Sequence, residues 1–208
     1  MKNISFIIFW GACWGVLEAT LGWFLHLVHF KGEVLLLYPF GLMCMMMAYK
    51  QTGTASSIIK VAAVAALVKL TNLLIPPAAP FYHVTNPAIA ILLEGLVTWA
   101  FCTYMYKRSS GIKLAIPSAV LLMFVSILMF RGLQLVMDAF VAYNPRVHMP
   151  VDSSLLLLWG WRAAVQGLML VGVYYLVGNV SFNLNFSKWS NRLALPLLLV
   201  ALLLTVLV

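Results

Sequence analysis

Acidic side chains are what this sequence has least of. Five Asp+Glu stand against 13 Lys+Arg in 208 residues, charged residues make up only 9% of the chain, and 64% of it is apolar. Too much apolar side chain is present for a disordered tail, and too much for one water-facing globule of this length to bury. Cysteine is also scarce. Cys13, Cys44 and Cys102 form no CxxC and no Cys/His zinc spacing, so a disulfide scaffold or zinc module is excluded, and the thiols read as small apolar packing groups. No GxxxxGK[ST] occurs, so the chain does not hydrolyse ATP by itself; no nucleophile elbow and no HExxH occur either. The net charge of +8 comes without a basic patch interleaved with aromatics, and no nucleic-acid partner is expected.

What is present are apolar runs, each about 20 residues long and so able to span lipid. They predict an all-α polytopic membrane bundle in a single domain, 1–208, with helices at 4–29, 34–49, 56–75, 87–106, 114–142, 155–179 and 193–208. Six helices (4–179) make the core and the seventh follows it. The breaks carry turn chemistry, as in Gln51-Thr52-Gly53 and Pro76-Pro77. The first run is too long for a signal peptide and holds Glu18 in its interior, so it reads as a retained helix. Segment 180–191 alternates apolar and polar residues and is expected in the inner headgroup region.

Cations alternate along the gaps. Lys2, then Lys50 with Lys60, then Lys107, Arg108 and Lys113, then Lys188 and Arg192 mark one side. The other side has only Lys31 beside Glu33, no cation at all, and Arg146 with Asp152. The excess of Lys and Arg on the cytoplasmic side of membrane proteins then places the N-terminus inside and all four histidines near the outer surface.

Six ionisable residues lie within the spans: Glu18, Lys69, Glu94, Arg131, Asp138 and Arg162. A charge there costs at least about 2.5–3.5 kcal/mol, so it faces a partner or a wet cavity. At 1.5 Å per residue, Lys69 and Glu94 each lie about 10 Å below the outer helix ends, with Glu18 and Arg162 close to that depth. Arg131, Gln134 and Asp138 share one helix face by their spacing of three and four. Two readings are open. In one, Lys69–Glu94 and Arg162–Glu18 ion pairs only hold helices together. In the other, the set lines an outward-opening cavity for a solute, with the cations taking acidic or carbonyl groups, the carboxylates taking amines, and Trp159, Tyr82 and Phe81 covering a ring. Phe81, Tyr82 and His83 belong to the Pro-rich PPAAPFYHVTNP stretch, expected as a lid over the cavity, with Asn86 capping the helix at 87. His83, His26 and His29 are the candidate ligands for a metal or metallocofactor; no cofactor is expected. Gly11, Gly15 and Ala19 recur every four residues and offer a close-approach face, for packing inside the bundle or for docking a partner.

These residues resemble a family. A small Met- and aromatic-rich six-helix core with an outer-half cavity is similar to the substrate-binding S component of energy-coupling-factor transporters. Gly11-xxx-Gly15-xxx-Ala19 resembles the face by which such subunits dock the coupling subunit, PPAAPFYHVTNP matches their gating loop in position, and NPAIAILLEGL with Glu94 resembles their pocket-side helix. The span at 193–208 departs from the six-helix pattern. The resemblance implies uptake of a vitamin or metal, with a transmembrane coupling subunit and ATPases on other chains. The alternatives are a membrane enzyme using Glu18 and Glu94 as acid and base, a structural or assembly subunit, and a seven-helix facilitator that works without ATP.

Overall fold

The computed structural model describes residues 2–28, 33–74, 81–108, 112–140, 151–179 and 186–207. Among these residues every regular element is helical. The first apolar run forms α1 (Lys2–Leu17), a π-helical turn (Glu18–Gly22) and α2 (Trp23–Leu27). Then come α3 (Glu33–Thr52), α4 (Ser56–Leu70) ending in a 3-10 turn (Thr71–Leu74), α5 (Phe81–Arg108), α6 (Ile112–Phe140), α7 (Ser153–Asn179) and α8 (Phe186–Leu207). Five of the helical stretches are long and apolar enough to cross a membrane. The protein is a multi-pass membrane bundle.

The turn chemistry works as its residues require. Gly53 adopts the left-handed conformation at φ +68° and its N–H bonds the Tyr49 carbonyl, which ends α3. Pro39, Pro87, Pro117 and Pro196 all lie inside helices. Packing against neighbouring helices lets a membrane bundle keep such prolines.

Helix α1 packs against α3, α4 and α8; α4 packs on α5, α5 on α6, α6 on α7, and α7 returns to α3. Six helices thus close a ring and α8 lies outside it against α1. Helix α3 touches α1, α4 and α7 and is the most enclosed, with Leu42, Met45 and Ala48 fully buried and Cys44, Met46 and Met47 nearly so. The Met43–Met47 run therefore fills the core, a use suited to flexible thioethers. Contacts between helix ends follow the antiparallel alternation. At one end Trp10 Nε1 donates to Gln51 Oε1 at 2.9 Å and Lys50 Nζ to the Val177 carbonyl. At the other, Gln134 Nε2 donates to Asn86 Oδ1 at 3.0 Å and the Thr71 and Thr205 hydroxyls meet at 3.2 Å.

The glycine stripe of α1 has a different use from the docking face that the resemblance implies. A Cβ on Gly11 would stand 2.6 Å from Val64 Cβ, and one on Gly15 3.0 Å from Val68 Cγ1. Both glycines are spent on bringing α1 against α4, and Ala19 is buried as well. Two helix starts also differ from expectation. Helix α5 begins at Phe81, so Asn86 and Pro87 sit within its second turn, and Phe81, Tyr82 and His83 belong to a helix rather than a lid. Residues 186–191, expected in the headgroup region, open α8; residues 180–185 lie outside the described residues.

Candidate functional site

At one end of the ring the helices leave space. Between them lies a cavity of about 300 Å³, walled by Glu18 and Gly22 of the π turn, Leu37 and Tyr38 of α3, Lys69 of α4, seven residues of α5 and Phe130 of α6. The α5 wall is Tyr82, His83, Asn86, Pro87, Ala90 and Ile91, followed by Glu94 one turn deeper. The cavity sits where α3 and α5 begin and where α4 ends, the end that the cation count assigns to the outside. Its size is at the small end of the range for solute pockets.

Each charged wall residue reaches the cavity for a local reason. The π turn carries more residues per turn than an α-helix; such turns recur at functional sites. Here it spans Glu18 to Gly22, both of which line the cavity. A Cβ on Gly22 would lie 3.5 Å from Glu18 Oε2 and 3.6 Å from Leu37 Cδ1, so the glycine keeps space beside the carboxylate. Lys69 stands in the last turn of α4. Glu94 sits beside Gly95, whose missing side chain lets α5 approach α4 so closely that a Cβ there would be 2.4 Å from Ala62 Cβ. Thr98 bonds the Glu94 carbonyl at 2.7 Å, keeping its own hydroxyl satisfied under the cavity. The Tyr82 and His83 rings lie 4.4 Å apart at 35° and make a flat patch on the wall. Asn86 is held from outside the cavity by the bond from buried Gln134.

Of the candidates named from sequence, Glu18, Lys69, Glu94, Tyr82 and His83 meet at this cavity. The others do not. Arg131 and Asp138 are half-buried on α6 and Gln134 is buried, but only Phe130 of that helix reaches the cavity wall. Arg162 is exposed: α7 turns Trp159, Ala163, Gln166 and Gly167 inward, and Arg162 falls on the opposite side with Trp161, which is 65% exposed. Trp159 is packed in the core and Phe81 is exposed; neither is a wall residue. No Lys69–Glu94 or Arg162–Glu18 ion pair is present among the described residues. The expected neutral set of three acids and three bases is thus replaced, on the described walls, by two carboxylates and one ammonium.

For metal, no group of three His, Cys, Asp or Glu side chains comes together among the described residues. His29 lies outside the described residues, and of His26 only the backbone, in α2, is described.

Sequence reasoning missed Tyr38, Asn86, Gly22 and Phe130. A signal for two of them was available. Steps of four back from Glu94 give Ala90, Asn86 and Tyr82, and one step of four forward from Glu18 gives Gly22. Tyr38 and Phe130 carry no such mark.

The floor of the cavity is closed. One and two turns deeper lie Trp14 on α1, Leu42 and Met45 on α3, and Thr98 and Phe101 on α5, all at most 1% exposed. No protein-family model, curated protein or solved structure matches this chain.

Proposed function

We propose that this chain is a membrane-embedded capture subunit. It takes a small polar or vitamin-like solute from the outer face of the cell membrane into the Glu18–Lys69–Glu94 cavity. Its N-terminus lies in the cytoplasm. A transmembrane coupling subunit and ATPases on other chains drive the inward step, since the chain has no nucleotide-binding motif of its own.

The observation that carries this reading is a charged, aromatic-walled cavity of about 300 Å³ standing on a closed floor. Ionisable groups in a lipid slab are costly and are kept where they do work. Helix glue explains Lys69 and Glu94 less well, because a gluing pair would be in contact, and these two form no ion pair. A facilitator needs a continuous wettable track, which Trp14, Leu42, Met45 and Phe101 interrupt. A site reached from one side and sealed below suits capture followed by rearrangement of the bundle. The peripheral position of α8 agrees with a six-helix capture core resembling an S component.

Native mass spectrometry of the full chain, gently extracted from its own membrane, tests the reading. A small solute is expected on the native protein and is lost in Gly22→Leu, whose side chain fills the space beside Glu18, while the melting temperature holds. Equal retention by Gly22→Leu, or no solute bound even after incubation with a cell extract, overturns it.

A further inference from the structure

We infer that the N-terminal half of α7 holds an anionic phospholipid, with Arg162 bonded to its phosphate and Trp161 beside its headgroup. This site lies outside the cavity and does not rest on the capture reading.

The inference comes from a charge that the fold leaves unanswered. Helix α7 is long and apolar enough to cross a membrane. It packs on α6 and α3 and turns Trp159, Ala163, Gln166 and Gly167 inward. Arg162 is exposed, and it has no hydrogen bond or ion pair with any described residue. Arg131 differs, being half-buried and engaged by an interaction within the chain. Asp152, the acidic residue nearest to Arg162 in sequence, is about 15 Å away along the helix. Its carboxylate is already taken by the Leu155 N–H and the Ser154 hydroxyl. An unpaired guanidinium facing hydrocarbon is costly and is kept where an anion or water is in reach.

Depth decides which anion that is. Arg162 stands nine residues past Ser153, about 14 Å along α7. The helix has 27 residues and so is about 40 Å long, against a hydrocarbon core of about 30 Å; several ångströms of each end therefore reach the headgroups. Side chains lean towards the N-terminus of their helix, which here points Arg162 at the nearer headgroup layer. Its apolar stem can stay in lipid while the guanidinium rises. The anions of that layer are lipid phosphates, and the guanidinium fork suits them by bonding two oxygens at once.

The neighbouring side chains favour a lipid over another helix. Leu157, Trp161 and Leu168 follow one another at steps of four and seven, share one side of α7, and are 78%, 65% and 53% exposed. Helices that meet in a membrane do so through small residues, as Gly11 and Gly95 do inside this bundle. Large leucines suit acyl chains instead, and an exposed tryptophan suits the headgroup boundary. The lipid is anionic rather than zwitterionic, because a zwitterionic headgroup would bring a second cation beside Arg162.

Quenching of tryptophan emission by lipids brominated on their acyl chains tests this in vesicles that hold the full chain. The Trp161 share of the emission is the difference between each protein and its Trp161→Phe form. Brominated phosphatidylglycerol or brominated phosphatidylcholine is mixed into plain phosphatidylcholine. The phosphatidylglycerol is expected to quench the Trp161 share at about a fivefold lower mole fraction. Arg162→Gln removes that preference, and Arg162→Lys, a point charge without the fork, keeps part of it. Lys113→Gln removes an exposed cation at the start of α6, the opposite end of the bundle, and leaves the preference unchanged. Equal quenching by the two lipids, a preference that survives Arg162→Gln, or one that vanishes with Lys113→Gln overturns the inference. A Trp161 share that neither lipid quenches also overturns it, and would mean that a second copy or another protein covers this side of α7.

Discussion

The two halves of this bundle are built from the same helices and opposite residues. In the half below the cavity, α1, α3, α4 and α5 meet through glycine and alanine. Gly11 lies on Val64, Gly41 on the Trp14 ring and Gly95 on Ala62, each so close that a Cβ would stand within 2.6 Å of its neighbour. In the half around the cavity the first apolar run, α4 and α5 carry Glu18, Lys69 and Glu94, which line an open space. Lipid gives helices no hydrophobic reason to associate, so close van der Waals contact must hold the sealed half. That contact, in turn, lets the other half keep a cavity. Stability is concentrated in one half and chemistry in the other.

Breaking the sealed half should have the largest effect. Gly95→Leu puts a Cβ 2.4 Å from Ala62 Cβ and adds three carbons beyond it. Helices α4 and α5 must separate, at about 3 kcal/mol or more, the upper end for overpacking. A thermal melt of the detergent-solubilised protein reads this directly. The control is Gly132→Ala or Gly172→Ala, where a Cβ meets nothing within 4 Å; these should hold or raise stability by up to about 1 kcal/mol. Equal losses in both sets would show that the glycines do not divide the bundle in this way.

Leu42→Ala comes next. Leu42 is fully buried under the cavity, and its removal leaves a void that costs about 2 kcal/mol, the low end for such truncations because lipid is as apolar as the core. It also opens the floor. Solute leak through the protein in vesicles should rise above that of the native chain; a stable variant that stays tight would show that the seal lies elsewhere.

In the half around the cavity the order of effects reverses. The paired variant Lys69→Met with Glu94→Leu removes charge of both signs, and its stability should change by less than about 1 kcal/mol. Solute retention should be lost. Stable protein with retention intact would mean the charges are structural. Gln134→Leu has a smaller effect on binding: it removes the bond to Asn86, costs about 1 kcal/mol of stability, and weakens binding without abolishing it, because Asn86 is then less firmly held at the wall.

How much of this was legible follows the same division. Apolar runs and the turn at Gly53 fix helices whatever their partners, so the all-helical bundle and its alternation could be read from sequence. Depth could be read too, because it is counted along one helix: Glu18, Lys69 and Glu94 do share a cavity. Rotation could not. Arg162 falls on the exposed side of α7, because which side of an apolar helix faces inward depends on its neighbours and leaves almost no pattern in the helix itself. Gly11 and Gly15 raise the same difficulty, since a close-approach face looks alike whether it meets α4 or another chain. The π turn at Glu18–Gly22 has no proline or other breaker to announce it, yet it carries the first carboxylate to the cavity.

The smallest expected effect lies outside the spans, at the start of α7. Asp152 precedes Ser153, and its Oδ1 accepts the Leu155 N–H at 2.8 Å and the Ser154 hydroxyl at 2.9 Å. It is the N-cap of α7, satisfying a donor that the helix leaves without a partner. These bonds hold its carboxyl below the usual carboxylate range, the Leu155 bond contributing most. A carboxyl depressed in the folded state adds stability above its unfolded value, about 3.9, and loses it as the pH falls through the folded one. Protection of the Leu155 amide against hydrogen exchange, corrected for the intrinsic rate, should therefore be constant near neutrality and decline below about pH 4. Asp152→Ala should lower that protection at neutral pH and flatten its pH dependence. Solute retention should be untouched, because Asp152 is not a described wall residue and α7 contributes none. A wild-type profile as flat as that of the variant would remove the capping role, and a loss of retention would extend the site to a helix that contributes no described wall residue.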